Sequence, residues 1–455
     1  MNDRIFSELQ EAFSVYFPGC EPQAVVRAPG RLNIIGEHTD YNGLPVLPFA
    51  VNAAVRMVFM PADTGQIEVV SLDMPSQSYR FNVDEMIEPF ADGHWGNYLK
   101  AAVQDGVNYG REQGVEKSQL SGLRGVIRSD LPMDAGLSSS SALVVAMMLA
   151  FYHAQGWRME AQEMALRAAA AEYYVGTRGG GMDQTVSLCG RPGMALKVDF
   201  HPLHVSPAKV GVDCLFMVAH STAYAAKSAG ARWRYNQRVF ECRLLTELLS
   251  RRALTEGMID MPLQYLGDLR KGRAARLGLG QWIDFLRDTL SEIPYDFVRL
   301  EHELGSWADQ LLKEQFPRLR GHLEGGFPLQ QRGLYLLEEW VRVEAAVKRM
   351  AEGDLAGLGE LLFHAHEGLA MKYNISHPRV DELIDLAQEF GLPGARMVGA
   401  GFGGVTLHLV PKDAQNDYRD FLARRFYDRY SPQSQKQLPV WTFTPSAGAA
   451  VETCD

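Results

Sequence analysis

Hydrophobic positions follow two different patterns along this chain, one over residues 1 to about 205 and the other from about residue 240. In the first, short apolar or alternating runs predict strands: AVVRA, PVLPFAVNAAVRMVFMP, QIEVVSL and LRGVIRS. Between these runs, apolar residues at helical spacing predict helices in GNYLKAAVQDGVNYG and EAQEMALRAAAAEYYVG. The alternation predicts an α+β domain over residues 1–205.

The second pattern is long, charged and helical. It is clearest in NQRVFECRLLTELLSRRAL and GLYLLEEWVRVEAAVKRMAEG, and strand-like sequence returns only at GVTLHLV and PVWTFTP. We place a domain boundary near residue 205, after KVDFHPL, and predict a second domain over residues 206–455, with a helical segment at about 251–330. A chain of 455 residues is also too long for one ordinary core, so two domains are expected on length alone.

Composition narrows the classes of protein. Hydrophobic residues make up 46% and charged residues 22%, as in a globular protein, and the longest apolar stretch, residues 142–152, is far shorter than the roughly 20 residues that span a bilayer. The start MNDRIFSELQEAF lacks the pattern of a secretory signal, and five scattered cysteines suggest neither a disulfide framework nor a metal site. The net charge of -10 argues against nucleic acid as a partner. We expect a cytoplasmic monomer without a membrane or nucleic-acid partner.

Four consecutive serines precede the most apolar helix pattern, in LPMDAGLSSSSALVV at 131–145. A serine at this position is typical of a helix N-cap, and alone that interpretation is as good as a phosphate site. However, a cap uses one hydroxyl, whereas this loop offers several hydroxyls, backbone N–H groups and the positive end of a helix dipole. Because the loop offers more donors than a helix cap requires, a phosphate site is favoured, with one hydroxyl left for Mg²⁺.

Two carboxylates accompany a glycine triplet at 179–181. Glu172 ends an alanine-rich helix pattern, and Asp183 follows the triplet in GTRGGGMDQ. Glycines let a backbone approach a ligand closely, so a carboxylate beside them can act as a general base. A solvated aspartate in a turn would be the better interpretation if GGGMDQ stood alone. A further glycine cluster, MVGAGFGGVTLHLV at 397–410, leads into a strand and predicts a tight turn instead of a dinucleotide-binding loop.

Polar residues are dense in RAPGRLNIIGEHTDYNG at 27–43, where Arg31, Glu37, His38 and Asp40 lie between two glycines. A hydrophobic core does not need such groups, whereas a hydroxyl-rich ligand does.

Taken in order, these motifs resemble the three signatures of the GHMP kinases, and residues 27–43 are similar almost residue for residue to the galactokinase signature. The resemblance implies a two-lobed α+β GHMP kinase fold with the active site in the cleft between an N-terminal and a C-terminal domain. It also implies phosphorylation of a sugar at its anomeric C1 hydroxyl with ATP and Mg²⁺. The similarity covers about 20–240 and 330–445 and is weak between 251 and 330.

The resemblance assigns roles to individual residues. It implies that Arg31 and Asp183 are catalytic, and that Mg²⁺ is held by Ser139 and Glu172. The sugar would be bound by Arg31, Glu37, His38, Asp40, Gly180, Asp183 and Tyr235. The nucleotide would be bound by Trp95, Tyr98, Gly136, Leu137, Ser138, Ser139, Ser140 and Ser141. For Trp95 and Tyr98, in WGNYLKAAV, core packing of two aromatics at helical spacing is the favoured alternative.

Some positions depart from the galactokinase pattern. GTRGGGMDQ and ECRLL are similar to the N-acetylgalactosamine kinase branch, but Tyr235 stands where that branch typically has Phe. Asp134 replaces a usual glycine near the phosphates, and AHEGLAMKYNISHPRVD at 365–381 replaces a more acidic pattern, which affects specificity more than activity. The sugar is therefore left open among galactose, N-acetylgalactosamine, arabinose and galacturonate.

Two other functions compete with a sugar kinase. A non-catalytic sensor of sugar and nucleotide is disfavoured because the serine run, Asp183, Arg31 and Glu172 are all present. A kinase for another alcohol, such as mevalonate or homoserine, is disfavoured because those substrates do not need the polar groups of GEHTDYNG.

Overall fold

Two units, each discontinuous in sequence, form the fold. The computed structural model describes residues 3–74, 78–132, 136–223, 229–431 and 438–454. Unit 1 comprises Met1–Leu32, Phe49–Leu196 and Phe443–Asp455, and unit 2 comprises Asn33–Pro48 and Lys197–Thr442. Both units combine helices with a sheet, which confirms the α+β class. The contiguous division near residue 205 stays a prediction.

The centre of unit 1 is a six-stranded mixed sheet with the strand order β12-β1-β2-β5-β3-β4. Strand β3 runs parallel to β5, whereas the pairs β1–β12, β2–β5 and β3–β4 are antiparallel. Its strands are β1 (Ala24–Asn33), β2 (Pro48–Ala62), β3 (Gln66–Ser71), β4 (Ser78–Asn82), β5 (Gly122–Ser129) and β12 (Ala450–Thr453).

Unit 1 has five helices: α1 (Asp3–Tyr16), α2 (Gly96–Glu112), α3 (Ser139–Ala154), α4 (Ala161–Ala171) and α5 (Met182–Cys189). Helices α1 and α3 contact strands of the sheet, and α2, α4 and α5 contact α3. Helix α1 buries Leu9 and Phe13 against Val25, Val58 and Val126 of the strands. Helix α3, the most apolar helix pattern of the sequence, contacts α2, α4 and α5 as well as β5 and β12. A helix that is apolar all round is expected to be buried on several sides in this way.

Unit 2 contains a four-stranded sheet with the order β11-β8-β10-β9, in which β10 is antiparallel to β8 and β9, and a two-stranded ladder, β6–β7. The strands are β6 (Met194–Asp199), β7 (His204–Lys209), β8 (Leu215–His220), β9 (Gly394–Val398), β10 (Val405–Val410) and β11 (Val440–Phe443). Helices α12 (Pro378–Phe390) and α13 (Gln415–Leu422) pack Leu383 and Leu422 in one core with Met217 of β8.

Five further helices of unit 2 form a second core: α6 (Ala229–Thr255), α7 (Leu279–Thr289), α8 (Phe297–Leu304), α9 (Trp307–Gln315) and α10 (Leu329–Glu352). Phe363 of α11 (Leu355–Glu367) and Tyr430 of the short α14 (Asp428–Tyr430) pack against the core of α12 and α13. Trp282, Leu300 and Leu312, from the predicted helical segment 251–330, are buried in the second core beside Phe240 and Leu336. The segment thus belongs to the hydrophobic core of unit 2.

Every strand-like run and helical pattern noted in the sequence falls on an element of the predicted type. Among the described residues, no helix is both long and apolar enough to cross a membrane.

Candidate active site

The serine loop lies at the start of α3 in unit 1. Gly136 and Ser138 adopt positive φ angles of 60° and 59°, and the helix begins at Ser139. The hydroxyl of Ser138 makes no capping bond to the helix; it donates a short hydrogen bond to Asp183 Oδ2 instead. The simple N-cap interpretation is therefore wrong for Ser138, and its side chain is held at the carboxylate.

Arg31 and Asp183 form an ion pair in the same unit. Arg31 Nε lies 2.8 Å from Asp183 Oδ1, and Arg31 Nη1 donates to the carbonyl oxygen of Gly136 at 2.6 Å. Asp183 is the second residue of α5, where the helix dipole stabilises an ionised carboxylate. The structure thus brings together three residues that the resemblance implies: Arg31, Ser138 and Asp183.

Gly30 allows this arrangement. The backbone N–H of Arg31 donates to the carbonyl oxygen of Leu137 at 3.1 Å, and a Cβ on Gly30 would lie 2.4 Å from that oxygen. Any side chain at residue 30 would push the end of β1 away from the serine loop.

Glu172 is buried and opens the 3-10 turn Glu172–Val175. Burial raises the pKa of its carboxyl to about 7, and the nearby charge of Asp183 acts in the same direction, whereas Ser141, Gln184 and Arg31 oppose the shift. The Oε1 atom is buried and has no hydrogen-bond partner within the described part of the chain. A carboxyl of this kind is an incomplete site that a cation would complete.

These residues fit the Mg²⁺ that the resemblance implies. Mg²⁺ is usually bound by one or two protein oxygens together with substrate phosphates and water. The orphaned oxygen of Glu172 and the hydroxyl of Ser139 at the helix start supply that number. No group of three metal-ligating side chains occurs among the residues that the structure describes.

The aromatic pair predicted for adenine lies at the start of α2. Trp95 is the residue before the helix, Tyr98 is in its first turn, and both are half-buried. The Trp95 ring packs edge-on against Tyr79, with ring centroids 4.7 Å apart. Helix α2 contacts the turn that carries Glu172. Gly180 lies in the loop directly before α5, next to Gly181 with φ 98°.

The other implied sugar residues lie in unit 2: Glu37, His38 and Asp40 on the loop that follows β1, and Tyr235 in helix α6. Glu37 is buried: its Oε1 accepts a hydrogen bond from the Gly399 N–H at 3.0 Å and lies 3.1 Å from Arg396 Nη2. Its carbonyl oxygen accepts a hydrogen bond from the Tyr335 hydroxyl at 2.8 Å. Gly399 has φ 93° and begins the turn between the antiparallel strands β9 and β10, so the tight turn predicted for this glycine cluster is confirmed.

His38 is 4% exposed and has a positive φ of 62°. Its Nδ1 lies 2.7 Å from the Tyr41 hydroxyl and its Nε2 lies 3.3 Å from the carbonyl oxygen of Ala400. Burial, aided by nearby arginines, lowers the pKa of the imidazole to about 3, so His38 is neutral at physiological pH. The half-buried ring of Tyr235 packs against it, with centroids 5.2 Å apart.

Asp40 is buried at the start of the 3-10 turn Asp40–Asn42, where its carbonyl oxygen accepts a hydrogen bond from the N–H of Gly43. Unit 2 thus brings together Glu37, His38, Asp40 and Tyr235 of the implied sugar residues. Their roles stay predictions, as do those of Arg31, Asp183 and the nucleotide residues in unit 1. Asp134 lies outside the described residues.

Sequence reasoning missed three residues around His38. Tyr41, Tyr373 and Cys242 are buried and continue the hydrogen bonding from its ring. Tyr41 lies inside the 27–43 motif and could have been noted there. Tyr373 lies in the atypical segment 365–381, and nothing in its local pattern distinguishes it from a core tyrosine.

Three family models match the chain. They are the galactokinase galactose-binding signature over residues 11–61, the GHMP kinases N terminal domain over 97–191 and the GHMP kinases C terminal over 344–428.

The chain is also similar to curated galactokinases along nearly its whole length. It is 30% identical to one from Roseiflexus sp., over 92% of both chains, and 30% identical to one from Chloroflexus aurantiacus, over 98% of this chain and 97% of that one. A galactokinase from Dictyostelium discoideum is 28% identical over 99% of this chain and 94% of its own.

Solved structures show the same fold. A crystal structure of Lactococcus lactis galactokinase complexed with galactose matches with a TM-score of 0.77 at 23% identity, over 98% of this chain and 99% of that one. The Methanococcus jannaschii mevalonate kinase matches with a TM-score of 0.54 at 16% identity, over 94% and 99%. With the motifs and the family models, these similarities establish that the chain belongs to the galactokinase family of the GHMP kinases.

Proposed function

We propose that this protein is an ATP-dependent sugar kinase that phosphorylates the anomeric C1 hydroxyl of galactose or a closely related sugar. The observation that carries the proposal is the group formed by Arg31, Asp183 and Ser138 beside the start of α3. Relatives named galactokinase, at up to 30% identity over nearly the whole chain, support the same reaction.

In this proposal Asp183 accepts the proton of the attacking hydroxyl. The Arg31 guanidinium fixes the position of this carboxylate through the 2.8 Å ion pair, and a carboxylate within hydrogen-bonding reach of a hydroxyl can act as a general base. Arg31 also supplies positive charge for the transferring phosphoryl group, where catalysis depends mainly on positioning and charge stabilisation.

The serine loop would bind the phosphates of ATP. Residues 136–141 combine a helix N-terminus with hydroxyl groups, and the rings of Trp95 and Tyr98 would flank the adenine. Ser139 and Glu172 would hold Mg²⁺, which supplies charge neutralisation between the phosphate oxygens. Burial raises the pKa of Glu172 because it disfavours the charged carboxylate. A cation beside that carboxylate would offset this effect, because it favours the charged form.

In unit 2, the loop that carries Glu37, His38 and Asp40, together with Tyr235, would bind the remaining sugar hydroxyls. This loop is rigid, because Glu37 is tied to Arg396, Gly399 and Tyr335. A rigid, polar and largely buried loop suits recognition of a ligand with several hydroxyls. We also place the reaction in the cytoplasm, where ATP is available and the five free cysteines stay reduced.

A panel of free sugars tests the proposal. ADP release with MgATP is measured for galactose, N-acetylgalactosamine, arabinose and galacturonate, with mevalonate as the control alcohol. We expect ADP release with galactose or one of its close relatives and none with mevalonate. Tight binding of a sugar with no ADP release would support a sensor instead, and ADP release with mevalonate alone would refute a sugar kinase.

A further inference from the structure

A buried chain of hydrogen bonds runs through unit 2 from helix α6 to His38. Cys242 Sγ lies 3.2 Å from the Tyr373 hydroxyl, which lies 2.7 Å from the Tyr41 hydroxyl. The Tyr41 hydroxyl lies 2.7 Å from His38 Nδ1. We call Cys242, Tyr373, Tyr41 and His38 the histidine chain.

The donor and acceptor of every hydrogen bond in the histidine chain follow from the bond between His38 and the carbonyl oxygen of Ala400. A carbonyl oxygen only accepts, so His38 Nε2 must carry the hydrogen that it shares with Ala400. In a neutral imidazole Nδ1 then accepts, and the Tyr41 hydroxyl donates to it. Each tyrosine has one hydroxyl hydrogen, so Tyr373 donates to Tyr41 and the Cys242 thiol donates to Tyr373. Burial raises the pKa of Cys242 to about 11, which keeps that thiol protonated.

Two buried arginines hold Tyr373 in place. Arg238 donates to the carbonyl oxygens of Tyr373 and Asn374, each at 3.0 Å, and Arg332 donates to that of Lys372. Both guanidinium groups are also paired with the Glu241 carboxylate, at 3.1 Å and 2.7 Å. The carbonyl groups at the end of the turn Gly368–Tyr373 are thereby fixed by charge-assisted hydrogen bonds.

The imidazole ring of His38 is held in place by hydrogen bonds at both of its nitrogens. Both ring nitrogens are engaged, and the residue is 4% exposed. The His38 Nε2–H donates to the carbonyl oxygen of Ala400, and the Glu37 carboxylate accepts from the N–H of Gly399. We call the loop after β1 that carries Glu37, His38 and Asp40 the sugar loop. Two consecutive residues of the sugar loop thus fix two consecutive residues of the turn between β9 and β10.

We propose that Tyr41 and Tyr373 are positioning residues for sugar binding, because they hold His38 as the neutral Nε2–H tautomer that fixes the β9–β10 turn to the sugar loop. This inference rests on the proposed function and deepens it. It also gives the atypical segment 365–381 a role in specificity, since that segment supplies Tyr373.

Steady-state kinetics of Tyr41→Phe and Tyr373→Phe test the proposal. For Tyr41→Phe we expect the KM for the sugar to rise about tenfold, while kcat and the KM for ATP change less than about twofold. Tyr373→Phe, one bond further from His38, should give a smaller rise. The double variant should resemble Tyr41→Phe, because both substitutions break the same chain.

Tyr418→Phe is the matched control. The Tyr418 hydroxyl lies 2.9 Å from His408 Nδ1, another buried tyrosine–histidine hydrogen bond of unit 2 in a separate core. We expect it to lower thermal stability and to leave the sugar KM unchanged. A similar KM rise in Tyr418→Phe, or an unchanged KM in Tyr41→Phe, would overturn the proposal.

The tautomer gives an independent readout. In the wild-type protein with isotopically labelled histidine, the nitrogen resonances of His38, assigned with His38→Gln, should show a protonated Nε2 and an unprotonated Nδ1. The opposite tautomer would overturn the inference even in an active kinase. Conversely, if the wild-type protein released no ADP with any sugar, the proposed function would fail while the tautomer measurement still decided the state of the histidine chain.

Discussion

His38 and Ser138 share a backbone conformation that is uncommon for residues with a side chain. Their φ angles are 62° and 59°, in the left-handed region, which costs roughly 1 kcal/mol or more per residue. Each is held there by a specific partner, the Tyr41 hydroxyl for His38 and the Asp183 carboxylate for Ser138. Such strain persists only where the surroundings fix it, and both residues lie within motifs that the resemblance implies for ligand binding.

Asp183→Asn tests the proton-accepting role. The amide keeps the shape of the side chain but is not a base, so turnover should fall by at least about 100-fold. Binding of the sugar, measured by calorimetry, should change little. A variant that kept more than about a tenth of the wild-type rate, a barrier difference under about 1.4 kcal/mol, would show that Asp183 is not the base.

Glu172→Gln tests the buried carboxyl through the pH dependence of stability without Mg²⁺. Burial raises the pKa of Glu172 from 4.5 to about 7, so the folded protein retains a proton that the unfolded chain has lost between these values. The wild-type free energy of unfolding should therefore fall with rising pH across that window, relative to the Gln variant. The slope is at most about 1.4 kcal/mol per pH unit, and the difference becomes constant above about pH 8.

Urea unfolding at several pH values between 4 and 8 gives this difference directly. Glu163→Gln is the control, since Glu163 is exposed on the neighbouring helix α4. If the difference between wild type and Glu172→Gln did not vary with pH, the buried carboxyl would not be the source of the effect.

At the level of elements, the contact between β1 and the serine loop depends on Gly30. Gly30→Ala would bring a Cβ to 2.4 Å from the carbonyl oxygen of Leu137, so the loop must shift. We expect a loss of about 1–3 kcal/mol in stability, and a lower kcat because Arg31 moves with β1. Gly65→Ala is the control: its Cβ meets only Leu120 O, at 3.8 Å, and both effects should be small. Wild-type kcat in Gly30→Ala would contradict this account.

The sequence predicted the elements whose hydrophobic period is strong. Helix α10 and strands β2 and β10 are long or strongly apolar, and each was evident from local pattern. The strands β4, β6, β7, β8, β9 and β12 were not anticipated; all have six residues or fewer. Five of them, β4, β6, β7, β8 and β12, include exposed or half-exposed positions. Such strands are stabilised by pairing with distant strands, which a local pattern does not contain.

The candidate site shows the same limit. Arg31, Asp183 and the serine loop could be named because their motifs are specific, and the resemblance supplied their roles. The bond from Ser138 to Asp183 could not be inferred, since a serine before a helix is ordinarily a cap. The position of Tyr373 depends on hydrogen bonds from Arg238 of α6 and Arg332 of α10 to the turn after α11. These elements are distant in sequence, so a local pattern does not reveal the role of Tyr373.

At the scale of the whole chain, unit 1 is completed by residues from far along the sequence. Strand β12 pairs antiparallel with β1, with Val26 opposite Val451 and Ala24 opposite Thr453. Arg27 also donates to Ala447 O and to Ser446 Oγ. The first strand of the chain is therefore stabilised by residues 446–453.

Deletion of residues 446–455 tests this dependence. Without β12, strand β1 becomes an edge strand, and its outward backbone groups lose their partners. We expect faster amide hydrogen exchange in β1 of the truncated protein and little change in β10, which pairs with β8 and β9 of unit 2. Equal exchange in β1 of the full-length and truncated proteins would contradict this prediction.

The pairing of β1 with β12 also constrains the order of events during synthesis. A nascent chain normally folds domain by domain as it leaves the ribosome. Here the residues of β12 are synthesised after those of unit 2, so the edge of β1 stays unpaired while about half of the polypeptide is still being translated. During that time the unpaired edge of β1 is a strand edge on the nascent chain to which a chaperone could bind.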